Sequence, residues 1–231
     1  MRTVGVVYFP SFAPLDAYGP IQAFNLSFAP KADNPTSPDM TAPLYRVVSV
    51  GSAEGPCASG PTGGGPKTVI EHAFRSAPDV DILLIPGGAG TRPGVEDAAL
   101  VDGIAALAQK TPIVATVCTG AALLAKSGYL DGKQATTNKT AWCWVIQQGP
   151  NVDWRCPPRW VDCVDPMTNR GWITSGGVAA GIDMALALID KLNGNQVTAN
   201  TQQLMEYTWP GSPDDDPFAR LCPPPCVATT P

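Results

Sequence analysis

Short runs of β-branched and aliphatic residues alternate along the chain with longer stretches in which apolar positions recur every three or four residues. That alternation predicts parallel strands joined by crossover helices. The strands it predicts are Thr3–Phe9, Tyr45–Ser49, Ile82–Ile85 and Ile113–Val117, followed by a hairpin-like pair at Trp160–Val164 and Gly171–Thr174. Helices are predicted over Gly19–Ser27, Asp97–Gln109, Thr119–Ser127, Val178–Leu192 and Asn195–Tyr207. Leu100, Ile104 and Leu107 mark the buried face of the second, and Gly128 is a natural stop for the third. Turn-forming residues crowd two stretches, 29–43 and 52–66, which read as insertions. The pattern describes an α/β fold, one domain over residues 1–210, with a Pro- and Asp-rich tail over 211–231 that lies on the surface or frays.

Composition narrows the function more than the fold. A chain of 231 residues buries a full core. Its net charge of −5, with no basic stripe, excludes a nucleic-acid backbone as partner. No apolar run reaches the roughly 20 residues that a membrane span needs. The apolar N-terminal stretch ends at Pro10 without a cleavage-type small-residue site, so it reads as a first strand rather than an export signal. Seven cysteines, odd in number and irregular in spacing, suggest no disulfide framework and point to a reducing, cytoplasmic setting.

Three segments carry candidate chemistry. In Ile113–Leu124 an apolar strand runs straight into an Ala/Leu-rich helix, with Cys118 at the junction. Such an elbow strains the backbone and lifts the reactive side chain above the sheet. The helix N-terminus would favour thiolate there, although a lone cysteine is also commonly an inert core residue. Second, Ile85-Pro86-Gly87-Gly88 follows the third strand, and the amides of Gly87 and Gly88, with that of Thr119, are candidates for an oxyanion-type cradle. The parallel sheet would gather this loop and Cys118 at one edge. Third, Asp16 stands between apolar residues after the first strand. The residues alone leave open whether it shares a proton with the thiol or caps the next helix.

Taken together, LDxxGP at Leu15–Pro20, IPGG at Ile85–Gly88, VCTGAxxLAxxGxLDGxxATTN at Val117–Asn138 and TSGGVxAGIDMALxL at Thr174–Leu188 resemble the ThiJ/PfpI superfamily, stand-alone relatives of class I glutamine amidotransferase domains. The resemblance covers most of residues 3–192. Asp16 with Cys118-Thr119 is most similar to the isonitrile hydratase branch. The resemblance implies a flavodoxin-like three-layer sandwich and a homodimer with its site near the subunit interface. It further implies catalysis by Cys118, Asp16 and Thr119, a small-molecule substrate held near Asn138 and Gly19, and no metal or organic cofactor.

One departure matters. Many members place a histidine shortly after the elbow, where this chain has Asn138, and its single histidine, His72, lies before the third strand as a surface or core residue. A Cys–His hydrolase is therefore disfavoured, and hydration of an isonitrile to a formamide is the leading expectation. A cofactor-free glyoxalase or deglycase and a non-enzymatic cysteine redox sensor are the alternatives. The remaining cysteines read as packed thiols, Cys222 and Cys226 as an improbable zinc pair, the tryptophans over 142–172 mostly as core and interface, and Asp214–Asp216 as a solvated acidic face.

Overall fold

Because Thr3–Val7 shows no polar alternation, it can be covered on both faces. In the computed structural model, which describes residues 1–224 and Cys226, it forms β1 (Arg2–Val7), buried from Thr3 onward. The chain continues through α1 (Pro14–Asn25), a ribbon of β2 (Phe28–Pro30) and β3 (Pro38–Pro43), and β4 (Tyr45–Gly51). A second ribbon, β5 (Gly55–Ala58) and β6 (Lys67–Ile70), leads to β7 (His72–Ala73) and β8 (Ile82–Ile85). Then come α2 (Thr91–Gly94), α3 (Ala98–Lys110), β9 (Ile113–Val117) and α4 (Gly120–Lys126). The short pair β10 (Gln134–Ala135) and β11 (Asp153–Trp154) flanks α5 (Trp142–Gln148). The last elements are β12 (Trp160–Asp162), β13 (Gly171–Ser175), α6 (Ala180–Asn193) and α7 (Asn195–Met205).

Seven strands form the central sheet in the order β12-β13-β9-β8-β1-β4-β7. Every neighbouring pair is parallel except β12 with β13. Helix α1 packs on α6, and α6 on α7, while α4 packs between α3 and α5. This is the predicted three-layer sandwich. The largest fully buried side chains include Leu83, Leu84, Ile85, Ile104 and Leu123, so the core lies along β8 and under α3 and α4. The two stretches read as insertions are the β-ribbons, whose turn-rich composition hides short antiparallel pairings.

Two helix boundaries matter for the site. Helix α1 begins five residues before the predicted start, with Pro14 in its first turn, where a missing N–H costs nothing. Asp16 therefore lies within the helix, and Ala13 is the N-cap. Helix α3 begins as its sequence suggests, the Asp97 side chain accepting from the amides of Ala99 and Leu100.

The cysteine reading is corrected. Disulfides join Cys143 to Cys226 and Cys156 to Cys222, leaving Cys57, Cys118 and Cys163 free. Their partners lie 83 and 66 residues apart in sequence, so spacing could not reveal them. Disulfides persist in oxidising compartments, and the expectation of a cytoplasmic setting loses the support it drew from the cysteines. The tail also departs from expectation as far as it is described. Pro225 and residues 227–231 lie outside the described residues. Asp216 is not solvated: its side chain is only 3% exposed and pairs with Lys139 at 2.8 Å and Arg159 at 3.4 Å. Arg159 in turn meets Asp183 at 2.6 Å, whose other oxygen accepts from Tyr207. Trp209 stacks on Trp160 and Trp142 meets Trp154 edge to face, so these tryptophans serve packing. Among the described residues no helix is long and apolar enough to cross a membrane.

Candidate active site

β9 ends in the middle of the sheet at Val117 and α4 begins at Gly120, and because Thr119 between them already has helical dihedrals, Cys118 makes the turn. It does so at φ +57°, the left-handed region that costs a side-chain-bearing residue roughly 1–2 kcal/mol. The turn is held by contacts that outweigh that cost. The Cys118 amide donates to the Ser175 and Gly176 carbonyls at 3.2 and 3.1 Å, and the Cys118 carbonyl accepts from the Thr137 hydroxyl at 2.7 Å. Gly120 permits the close approach of β8's end, because a Cβ there would lie 2.3 Å from the Ile85 carbonyl oxygen.

Asp16 reaches the same point from α1. It is fully buried, and its Oδ2 accepts from the Gly87 amide at 3.0 Å. Its Oδ1 is buried with no hydrogen-bond partner, and the carboxyl and the Cys118 thiol are near enough for each to shift the other's titration. Burial is the dominant force on both groups. It pushes the Asp16 carboxyl up to about 7, against the smaller opposing pull of the Gly87 amide and the thiol. Burial, then the charge of Asp16, pushes the Cys118 thiol up to about 12, with the Thr119 amide and Asn138 pulling the other way. The expectation of a thiolate favoured by the helix N-terminus is thereby corrected: desolvation outweighs the dipole of a seven-residue helix.

The predicted oxyanion amides are also placed differently. Gly87 N–H is taken by Asp16, and Gly88 N–H donates to the Thr119 hydroxyl at 3.0 Å. These amides therefore hold the acid and the threonine in place instead of facing open space. Thr119 Oγ1 also lies 3.0 Å from the Thr91 hydroxyl, which donates to the Gly88 carbonyl. Gly88 adopts φ +127°, and a Cβ there would sit 2.4 Å from the Ala13 amide nitrogen, so only glycine brings this loop against the start of α1.

Asn138 donates through Nδ2 to the Cys118 sulfur at 3.2 Å. Its Oδ1 accepts from the Thr140 hydroxyl at 2.6 Å and the Ala141 amide at 3.0 Å, which fixes the side-chain amide with its N–H toward sulfur. Gly19, by contrast, is not at the site. It faces Ile182 of α6, where a Cβ would come within 2.8 Å of that side chain, so the residue serves helix packing. His72 pairs with Val50 on the edge strand β7, away from the sulfur. Sequence reasoning missed Gly177, whose absent Cβ would fall 2.6 Å from the Cys118 sulfur and 2.5 Å from Asn138 Nδ2. The TSGG string was its only signal.

A cavity of about 340 Å³ opens onto Cys118 and Thr119, with Asn138, Phe12, Arg92 and Val178 in its wall. A larger cavity of about 770 Å³ lies between the β5–β6 ribbon and α2 and α3. It contains Cys57 and Tyr8, both held protonated chiefly by burial, with Glu54 and Asp97 in its wall but neither hydrogen-bonded to the Cys57 thiol, so the smaller cavity is the candidate site. Among the described residues no three His, Cys, Asp or Glu side chains gather as a metal site. What remains is a thiol held neutral beside a buried carboxyl that titrates near neutral pH, under an oriented amide donor.

Comparison with known proteins matches the model of the DJ-1/PfpI family to residues 3–191. An isonitrile hydratase of Pseudomonas putida is 34% identical over 152 residues, covering 63% of this chain and 62% of that protein. Protein DJ-1alpha of Drosophila melanogaster is 25% identical over 156 residues, again covering 62% of each. The chain thus spans about three fifths of these relatives' length. Among solved structures, a ThiJ/PfpI family protein from Pseudomonas syringae superposes with a TM-score of 0.71 at 23% identity, over 94% of this chain and 77% of that one. At that identity the likeness is one of fold.

Proposed function

The chain belongs to the DJ-1/PfpI family, and from that premise we propose that it hydrates an isonitrile, R–N≡C, to the formamide R–NH–CHO. The observation that carries this reading is the identity of the thiol's partner: a buried aspartate, Asp16, with Asn138 where a histidine would serve hydrolysis. Similarity to a protein named isonitrile hydratase supports it.

In this reading Asp16, as carboxylate, accepts the thiol proton while the sulfur of Cys118 bonds to the terminal carbon, then delivers that proton to the same carbon. The product of this step is a thioimidate, S–CH=N–R. Water adds across the C=N bond, its hydroxyl to carbon and its proton to nitrogen. The carbon–sulfur bond then breaks, the new hydroxyl becomes the formamide carbonyl, and its proton returns to sulfur through Asp16. Asn138 and the Thr119 amide stabilise negative charge on sulfur as it arrives and leaves. The steps call for neither a metal nor an organic cofactor. By the same resemblance the protein acts on small molecules as a homodimer.

Cyclohexyl isonitrile supplies the test, with the formamide as product. Turnover is lost in Cys118→Ala and Asp16→Asn, and kcat/KM of the wild type rises with pH through about 7 as Asp16 ionises. A folded wild type that forms no formamide from alkyl or aryl isonitriles overturns the reading.

A further inference from the structure

The wall of the Cys118 cavity is mostly apolar or backbone, from Phe12, Ala13, Pro14, Pro61, Ala141 and Val178. One charged side chain lines it: Arg92, the second residue of α2. Its guanidinium carbon lies 4.4 Å above the centre of the Trp144 ring. Trp144 packs on the core, so the ring is a fixed platform rather than a passing contact. No carboxylate neutralises Arg92 among the described residues; Glu96, one helical turn on, pairs with Lys126 instead. The guanidinium is thus oriented by its face while its edge keeps the N–H donors that bind carboxylates in a fork.

The base of this side chain is equally fixed. A Cβ at Gly90 would lie 1.9 Å from the Pro10 carbonyl oxygen, so the loop bearing Arg92 is pressed against the end of β1. That loop also supplies the Gly87 amide to Asp16. The same loop is tied to the residue after the thiol, its Gly88 amide donating to the Thr119 hydroxyl at 3.0 Å.

The geometry points to Arg92 as the specificity determinant of the site, selecting isonitriles whose nitrogen substituent carries a carboxylate. This rests on the hydratase reading for the reacting group, but the anion site stands on the cavity and Arg92 alone. The volume, about 340 Å³, lies at the small end of ligand pockets, which favours a short-chain isocyano acid over a bulky one. The carboxylate is not consumed: water adds to the isonitrile carbon, and the product is an N-formyl amino acid that keeps its charge.

Isocyanoacetate and its methyl ester differ in that charge and in one methyl group. We expect the wild type to use the acid with a kcat/KM at least tenfold above the ester. In Arg92→Gln that ratio collapses toward one, and in Arg92→Lys it recovers in part. Because the ratio is internal to each variant, a change in the amount of folded enzyme does not affect it. N-formylglycine and its methyl ester, titrated calorimetrically, give a readout free of turnover. If neither isonitrile reacts but N-formylglycine binds the wild type and not Arg92→Gln, the anion site holds and the hydration reading falls. Equal use or equal binding of acid and ester by the wild type overturns the role of Arg92. So does an acid-to-ester ratio unchanged in Arg92→Gln.

Discussion

Asp16→Asn isolates the cost of burying an ionisable acid beside the thiol. The folded protein raises the Asp16 carboxyl from 3.8 to about 7, chiefly by burial. Between those values the folded state holds a proton that the unfolded chain has released, so this group's contribution to stability falls as pH rises and levels off above about 7. Moving from pH 5 to pH 8 crosses most of that window and costs the wild type about 3 kcal/mol through Asp16 alone. Asparagine keeps the shape and an oxygen to accept from the Gly87 amide, but it has no charge to bury. Urea unfolding of both proteins at the two pH values, with disulfides intact, measures the effect as a double difference in which the other titrating groups cancel. The stability of Asp16→Asn relative to wild type should improve by about 3 kcal/mol between pH 5 and pH 8. A relative stability that is flat within about 1 kcal/mol would refute the claim that desolvation governs the site.

Two further substitutions probe the surroundings of the sulfur. Gly177→Ala places a methyl where only 2.6 Å separates it from the Cys118 sulfur, so turnover should fall at least about a hundredfold with the far-ultraviolet spectrum unchanged; wild-type kinetics would show that this turn does not close over the thiol. Asn138→Ala removes a donor to sulfur, so the thiol should titrate still higher, read as thiolate absorbance against a Cys118→Ala blank. The same variant should lose about tenfold in kcat/KM, and an unshifted titration would count against the hydrogen bond.

The elbow was legible in sequence because its causes are local: an unbroken apolar strand, a single reactive residue, then small residues opening a helix. Asp16 stood out by its apolar neighbours, but its role stayed open on the residues alone, since Pro14 and Pro20 disguise the true start of α1. The position of Arg92 over Trp144 joins two segments half a hundred residues apart, as does the closure of Gly177 over the sulfur, and no periodicity records such meetings. Disulfide partners were hidden for the same reason. The direction of the thiol's titration failed differently. A helix N-terminus can be read from sequence, but burial is a sum over the whole fold, and here the sum outweighed the local dipole.

Lys139, Arg159, Asp183 and Asp216 form a buried quartet of two cations and two anions, and only one of its members comes from beyond residue 210. The body of the protein is therefore not electroneutral at this point without its tail. A chain cut at residue 210 would enclose an excess positive charge one residue from Asn138, the amide that faces the sulfur. Asp216 thus acts as a counterion behind the wall of the Cys118 cavity, and the smallest fragment that retains a balanced interior extends at least through it.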